Sequence, residues 1–121
     1  MTRSLFAILI SGLLLIGWPL TSFAHAHLEK SVPEKDSELT DAPQAVQLWF
    51  SEDVQGEWSK IIVMDAEGNR VDKEAISGND ENHKFMQVDL NDLHPGTYNV
   101  NWSTLSRDGH RVKGEFSFKV K

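Results

Sequence analysis

Apolar residues recur at every second position in several short runs of this sequence, and this alternation constrains the fold more than any other feature. Between residues 45 and 52, Val46, Leu48 and Phe50 fall on one face of an extended chain. The same spacing recurs in three later runs, which are Met86, Val88 and Leu90; Tyr98, Val100 and Trp102; and Phe116, Phe118 and Val120. Alternation with a period of two is typical of half-buried strands, so we predict an all-β fold.

Seven strands are predicted from these runs and from the turn signals between them. The strands are predicted at residues 28–31, 45–52, 60–66, 70–76, 85–90, 97–103 and 111–120, with a loop at 77–80. Their number and spacing indicate an immunoglobulin-like β-sandwich. The segment from Leu93 to Tyr98 is typical of a tyrosine corner, in which the tyrosine hydroxyl bonds back to nearby backbone.

The charge balance and the cysteine content exclude several classes of function. The chain of 121 residues has 12 Lys and Arg against 18 Asp and Glu, a formal net charge of -6, and no cysteine. Binding to nucleic acid is disfavoured because neutralising phosphates requires clustered basic residues. The lack of cysteine excludes thiol catalysis, thiolate metal sites and disulfides, and the length suits a single domain.

Residues 1–24 have the pattern of a cleaved secretory signal peptide. A short basic start containing Arg3 is followed by an apolar run and then by small residues before the cut. The run is about 16 residues long, which is short for a membrane-spanning helix of about 20. Cleavage after residue 24 would leave residues 25–121 with His25 first, and cleavage after Ala26 is the alternative. We expect an exported domain with no stable membrane insertion.

All five histidines lie within residues 25–121, and three of them follow the first predicted strands and are considered first as metal ligands. His83, in a polar stretch, and His94, before a proline, are predicted to be solvent-exposed. His110 differs because it follows Asp108 and Gly109 between the last two predicted strands. Asp-Gly is a tight-turn signal, so His110 is either a bystander in a hairpin turn or, with Asp108, part of a metal site.

Removal of the signal peptide would expose a histidine with specific coordination chemistry. As the first residue, His25 offers one metal ion both an imidazole nitrogen and an α-amine with a reference pKa of about 7.7–8.0. With the imidazole of His110 and the carboxylate of Asp108, these nitrogens would complete a tetragonal plane that suits Cu(II), although Zn(II) would also accept them. A local alternative uses only the amine, two deprotonated amides and the imidazole of His27.

Five short motifs occur in order along nearly the whole predicted mature chain. They are His25-Ala26-His27-Leu28, Leu48-Trp49-Phe50-Ser51-Glu52, Pro95-Gly96-Thr97-Tyr98, Ser106-Arg107-Asp108-Gly109-His110 and Gly114-Glu115-Phe116-Ser117-Phe118. In combination they resemble the motifs of the CopC copper-resistance family, including its single-domain members of the YobA type.

This resemblance implies a seven-stranded Greek-key β-sandwich or barrel that binds one Cu(II) ion per chain. Carried over by position, the copper ligands are His25, Asp108 and His110. Glu52 matches an acidic residue near the copper in this family, either as a weak ligand or as a carboxylate that orients a histidine. His27 is a further candidate ligand or an exposed neighbour.

Some members of the family have a methionine-rich segment that binds Cu(I), because thioether sulfur suits the softer ion. After the signal peptide only Met64 and Met86 remain here, each within a predicted strand. We predict that both are core residues and that there is no separate Cu(I) site.

The predicted function is a periplasmic Cu(II)-binding protein that sequesters or transports copper in homeostasis or resistance, and not an enzyme. The resemblance also suggests a delivery partner, an inner-membrane copper transporter of the CopD type. Two alternative functions belong to other classes of protein. One is a copper-dependent oxidase or oxygenase that uses the N-terminal histidine chelate, and the other is a metal-free immunoglobulin-like interaction module.

Overall fold

The computed structural model of the protein describes Gly17 and residues 26–121. The predicted signal peptide, apart from Gly17, and His25 lie outside the described residues. The described chain forms eight strands, which are β1 (Leu28–Val32), β2 (Glu38–Leu39), β3 (Ala45–Phe50), β4 (Lys60–Met64), β5 (Asp72–Asn79), β6 (Asn82–Leu90), β7 (Gly96–Leu105) and β8 (Arg111–Val120). A single 3₁₀ turn, Gly56–Trp58, precedes β4. Among the described residues, no helix is long and apolar enough to cross a membrane.

Two four-stranded sheets pack face to face, which confirms the predicted all-β sandwich. One sheet has the strand order β1-β3-β6-β5 and the other has the order β2-β8-β7-β4. Neighbouring strands within each sheet are antiparallel, except for β2 and β8, which run parallel. The core lies between the sheets and contains the faces predicted from alternation, which are Val46, Leu48 and Phe50; Met86, Val88 and Leu90; Tyr98, Val100 and Trp102; and Phe116, Phe118 and Val120. Removing these apolar side chains from water is the main force that holds the sheets together.

The structure differs from the sequence-based prediction in the number of strands and in the connection between β5 and β6. There are eight strands instead of seven, because Glu38 and Leu39 pair with the end of β8. A strand of two residues is too short to show any period in the sequence. The predicted loop at 77–80 was also wrong, because Ser77 to Asn79 belong to β5 and only the turn at Asp80 and Glu81 separates it from β6. Backbone pairing with β6 continues there although the side chains are polar and exposed.

The predicted tyrosine corner is present at the end of the sandwich where β7 begins. The hydroxyl of Tyr98 donates a hydrogen bond to the backbone carbonyl of His94. The ring of Tyr98 is buried and stacks on Phe118 at a centroid distance of 5.4 Å. His94 is exposed, as predicted, and contributes its backbone rather than its imidazole.

Gly114 is held directly under an aromatic ring. It lies opposite Trp102 in the β7–β8 ladder, and a Cβ atom placed on it would lie 2.5 Å from Cζ2 of that ring. Trp102 cannot swing away freely, because its ring packs edge-on against Phe50 at 5.1 Å. We therefore expect Gly114→Ala to lower the free energy of unfolding in urea by about 1–3 kcal/mol.

Gly56→Ala is the matched control for this prediction, because nothing lies within 4 Å of a Cβ atom at Gly56. That control should change the free energy of unfolding by less than about 0.5 kcal/mol. Equal stabilities of the two variants would contradict the assigned contact between Gly114 and Trp102.

Candidate metal centre

Parts of both sheets meet at one end of the sandwich. β3 and β7 end there, while β1, β6 and β8 begin there. The segment that follows β3 joins the two sheets, since Val54 bridges to Ser106 and its N–H donates to the carbonyl of His83 at 3.0 Å. This end, which we call the hairpin end, therefore gathers residues that are far apart in the sequence.

The chain immediately after His25 is fixed at the hairpin end. Ala26 is completely buried in the core. The backbone N–H of His27 donates to the hydroxyl of Ser51 at 2.9 Å, and the N–H of Ser51 donates to the carbonyl of His27 at 2.9 Å. These contacts extend the β1–β3 ladder by one residue, while His27 itself is exposed.

Residues 106–110 form the tight loop that connects β7 to β8, as the Asp-Gly signal predicted. The N–H of Ser106 donates to the carbonyl of His110 at 2.8 Å, and the N–H of Gly109 donates to the carbonyl of Ser106 at 3.0 Å. Gly109 has a φ of 87°, a left-handed conformation that glycine adopts without the strain of a side chain. The loop therefore presents Asp108 and His110 on the same side of a closed turn.

Asp108 and His110 contact each other directly within this loop. Oδ2 of Asp108 lies 2.9 Å from Nδ1 of His110, and the side chains are 41% and 56% exposed. Oδ1 of Asp108 accepts hydrogen bonds from the Ser106 hydroxyl and from the N–H of His110. The Ser106 hydroxyl, followed by His110, holds the pKa of Asp108 well below its usual range. The carboxylate is therefore ionised at neutral pH, which is the state that a metal ligand requires.

The contact between the two side chains also bears on how they can bind a metal. When Nδ1 of His110 is protonated and donates to Asp108, the lone pair of the neutral imidazole is on Nε2, which is then the nitrogen that can coordinate a metal. The carboxylate has a second oxygen and several lone pairs, so it can orient the imidazole and still face a cation. An imidazole and a carboxylate oriented in this way can supply two of the ligands that a four-coordinate metal needs.

Glu52 lies in the same cleft as this loop, whereas His83 and His94 do not join the pair. Glu52 is exposed and lines a cleft with Ser106 and Asp108. Across residues 26–121, no three His, Asp or Glu side chains converge as a metal-binding group. His83 is exposed, as predicted, but belongs to β6 rather than to a loop, and His94 lies at the opposite end of the sandwich.

The two methionines of the β domain lie away from the hairpin loop. Met86 is buried in the core, as predicted. Met64 is only partly buried, at the last position of β4, so the prediction of a core residue was correct for one of the two. Alternate residues of β4 face the core, and Val63 is one of them. Met64, the next residue, therefore faces outward.

Two serines that belong to the quoted motifs, but to which the sequence assigned no role, hold the hairpin end together. Ser51 anchors the backbone of His27, and Ser106 contacts both Asp108 and the carbonyl of His110. A serine two residues before an aspartate in a turn is a pattern that can bond locally, so Ser106 had a signal in the sequence. Ser51 had none, because its contact depends on strand pairing.

The comparisons with known proteins agree on one family. The CopC domain model matches residues 28–121. The copper transport protein CutJ of Bacillus subtilis is 38% identical over 109 residues, a match that spans 89% of this chain but only 20% of CutJ. Protein YobA of Escherichia coli K12 is 38% identical over 100 residues, covering 82% of this chain and 81% of YobA.

Solved structures support the same assignment. The crystal structure of CopC from Methylosinus trichosporium OB3b superimposes with a TM-score of 0.76 at 30% sequence identity, and the match covers 80% of this chain and 94% of that protein. The domain model, YobA and this structure each cover most of the described sandwich. This chain belongs to the CopC family.

Proposed function

We propose that this protein binds one Cu(II) ion per chain in the periplasm and sequesters or transports it in copper homeostasis or resistance. The observation that carries the proposal is the preoriented pair of Asp108 and His110, held at the end of the sandwich where Ala26 and His27 are anchored. Membership of the CopC family and similarity to a relative named as a copper transport protein support the choice of metal.

The proposed ligands are His25, Asp108 and His110. A processed His25 would supply its α-amine and imidazole, and the hairpin loop would supply a second imidazole and a carboxylate. Three nitrogens and one oxygen suit the tetragonal preference of Cu(II), which binds such ligands more tightly than other divalent first-row metals. The ionised state of Asp108 supports this role, because the carboxylate needs no deprotonation before the metal binds.

A contact of His27 favours this assembled site over the local one. The local alternative requires the deprotonated amide nitrogen of His27 as a ligand, yet that N–H donates to the hydroxyl of Ser51. Copper would have to break this bond and pull the chain away from β3, next to a fully buried Ala26. We therefore assign the imidazole of His27 at most a peripheral role. Glu52, in the cleft with Asp108, is the further carboxylate that would face the metal or orient a histidine.

Further parts of the proposal follow from the predicted signal peptide and from the donor set. Residues 1–24 would direct export and be removed, leaving residues 25–121 without stable membrane insertion. Four ligands in one plane leave little room for a substrate, so we propose a binding protein rather than an enzyme. An inner-membrane copper transporter of the CopD type is the proposed recipient or source of the ion.

The double variant Asp108→Ala/His110→Ala tests this assignment. The full chain is exported, purified from the periplasm and checked by mass spectrometry for its first residue, and Cu(II) affinity is measured by competition titration. We expect the double variant to bind Cu(II) at least about tenfold more weakly, because half of the ligands are gone.

His94→Ala is the matched control, since His94 is exposed at the opposite end of the sandwich. Its affinity for Cu(II) should stay within about twofold of the unmodified protein. Unchanged affinity in the double variant would contradict the assembled site and leave the local N-terminal chelate as the explanation of any binding.

A further inference from the structure

Ser106 occupies an unusual position beneath the two proposed ligands of the hairpin loop. Ser106 is only 2% exposed, whereas the side chains of Asp108 and His110 are open to solvent. The hydroxyl contacts Oδ1 of Asp108 and lies 2.9 Å from the carbonyl of His110. A buried hydroxyl thus reaches both residues of the pair from below.

The single proton of this hydroxyl has one preferred acceptor. The carbonyl of His110 already accepts the backbone N–H of Ser106 at 2.8 Å. Hydrogen bonds to a charged acceptor are stronger than those to a neutral one, so the proton is donated to the carboxylate of Asp108. The burial of Ser106 shields the donor side of that bond from water.

The donor itself is held rigidly. The backbone of Ser106 bridges to Val54, and its carbonyl accepts hydrogen bonds from the N–H of Gly109 at 3.0 Å and from Nε2 of Gln55 at 3.4 Å. Fixing Oδ1 of Asp108 directs Oδ2 toward Nδ1 of His110. The hydroxyl of Ser106 and, at the longer distance of 3.2 Å, the backbone N–H of His110 therefore orient both side chains.

We propose that Ser106 is a positioning residue for copper binding, which orients Asp108 and, through it, the imidazole of His110. This inference rests on the proposed function and deepens it. Ser106 is not one of the proposed ligands. Without this hydroxyl, Oδ1 of Asp108 keeps only the longer hydrogen bond from the backbone N–H of His110, at 3.2 Å, so the carboxylate and the imidazole that contacts its Oδ2 are less firmly oriented. The ligands would then have to be ordered when copper binds, which weakens affinity.

The test compares three variants of the exported full chain with the unmodified protein. Ser106→Ala removes the hydroxyl, and Ser106→Thr retains it. Ser31→Ala is the matched control, because Ser31 is also buried and also donates a hydrogen bond, to the carbonyl of Pro33, but lies outside the hairpin end. Cu(II) affinity is measured by competition, the coordination by the electron paramagnetic resonance spectrum, and the stability of the metal-free protein by thermal unfolding.

We expect Ser106→Ala to bind Cu(II) about 10- to 100-fold more weakly and with an altered spectrum, as is usual when a group that orients a metal ligand is removed. Ser106→Thr should bind within about threefold of the unmodified protein, and Ser31→Ala within about twofold with an unchanged spectrum.

Three results would overturn the inference. The first is a Cu(II) affinity of Ser106→Ala within about twofold of that of the unmodified protein. The second is a loss of Cu(II) affinity in Ser31→Ala equal to that in Ser106→Ala. The third is a Cu(II) affinity of Ser106→Thr as low as that of Ser106→Ala. The Cu(II) affinity of the unmodified protein distinguishes a failure of this inference from a failure of the proposed function. If that protein binds no Cu(II) tightly, both fail, whereas tight binding that is unaffected by Ser106→Ala overturns the role of Ser106 alone.

Discussion

One residue added ahead of His25 is expected to weaken Cu(II) binding by about a hundredfold or more. The addition converts the proposed α-amine ligand into an amide nitrogen, which is not basic and does not give up its proton to a metal at neutral pH without further driving force. It also moves the free amine away from the imidazole, so one residue can no longer offer both nitrogens to the same ion. Competition titration of chains with defined first residues measures the loss.

The control for this prediction carries one added residue after Lys121 instead. That end follows β8, away from the hairpin loop, so Cu(II) affinity should stay within about twofold. Equal affinity of the chain that begins at His25 and the chain extended ahead of it would remove the N-terminal chelate from the proposal. The conclusion about the family would stand, because it rests on residues 28–121.

Replacement of Asp72 by alanine is expected to lower the free energy of unfolding by about 3 kcal/mol at neutral pH. The carboxylate is completely buried and accepts hydrogen bonds from the N–H of Val63 at 2.8 Å and from the N–H of Glu74 at 2.9 Å. Nε of Arg70 donates to both of its oxygens, at 2.9 and 3.0 Å. Alanine would leave the buried N–H of Val63 without this acceptor, and it would remove the side-chain hydrogen bond that links β5 to β4. Urea unfolding measures the change.

The effect of Asp72→Ala should also depend on pH. Burial alone would raise the pKa of Asp72, but the hydrogen bonds from Arg70, Val63 and Glu74 outweigh it, and the pKa in the folded state is lowered. The unfolded chain, with an aspartate pKa of about 3.9, therefore takes up the proton first. The contribution of Asp72 is fully present above that pH and is lost as the pH falls toward the pKa of the folded state.

Asp41→Ala is the control for both parts of this prediction, because Asp41 is exposed. The stability difference between Asp72→Ala and Asp41→Ala should be largest near neutral pH and smaller at a pH of about 3. A difference that stays constant between these two pH values would contradict the assigned hydrogen bonds, and no difference at neutral pH would contradict their contribution to stability.

The core faces could be predicted from local sequence because a strand turns alternate side chains toward the same side. Val46, Leu48 and Phe50 needed no knowledge of their partners to be assigned to the interior. Asp72 is the opposite case. It lies in the predicted strand at residues 70–76, which is mostly polar, and its buried carboxylate accepts a hydrogen bond from the N–H of Val63, which the other sheet supplies.

The same division holds at the proposed copper site. The Asp-Gly signal determined the loop that brings Asp108 beside His110, because residues two apart in a closed turn meet through local backbone geometry alone. Only the tertiary structure decided that this loop lies beside Glu52 and at the end where His27 is anchored to Ser51. Those contacts join distant parts of the chain, and they depend on strand register and sheet packing, which no short stretch of sequence specifies.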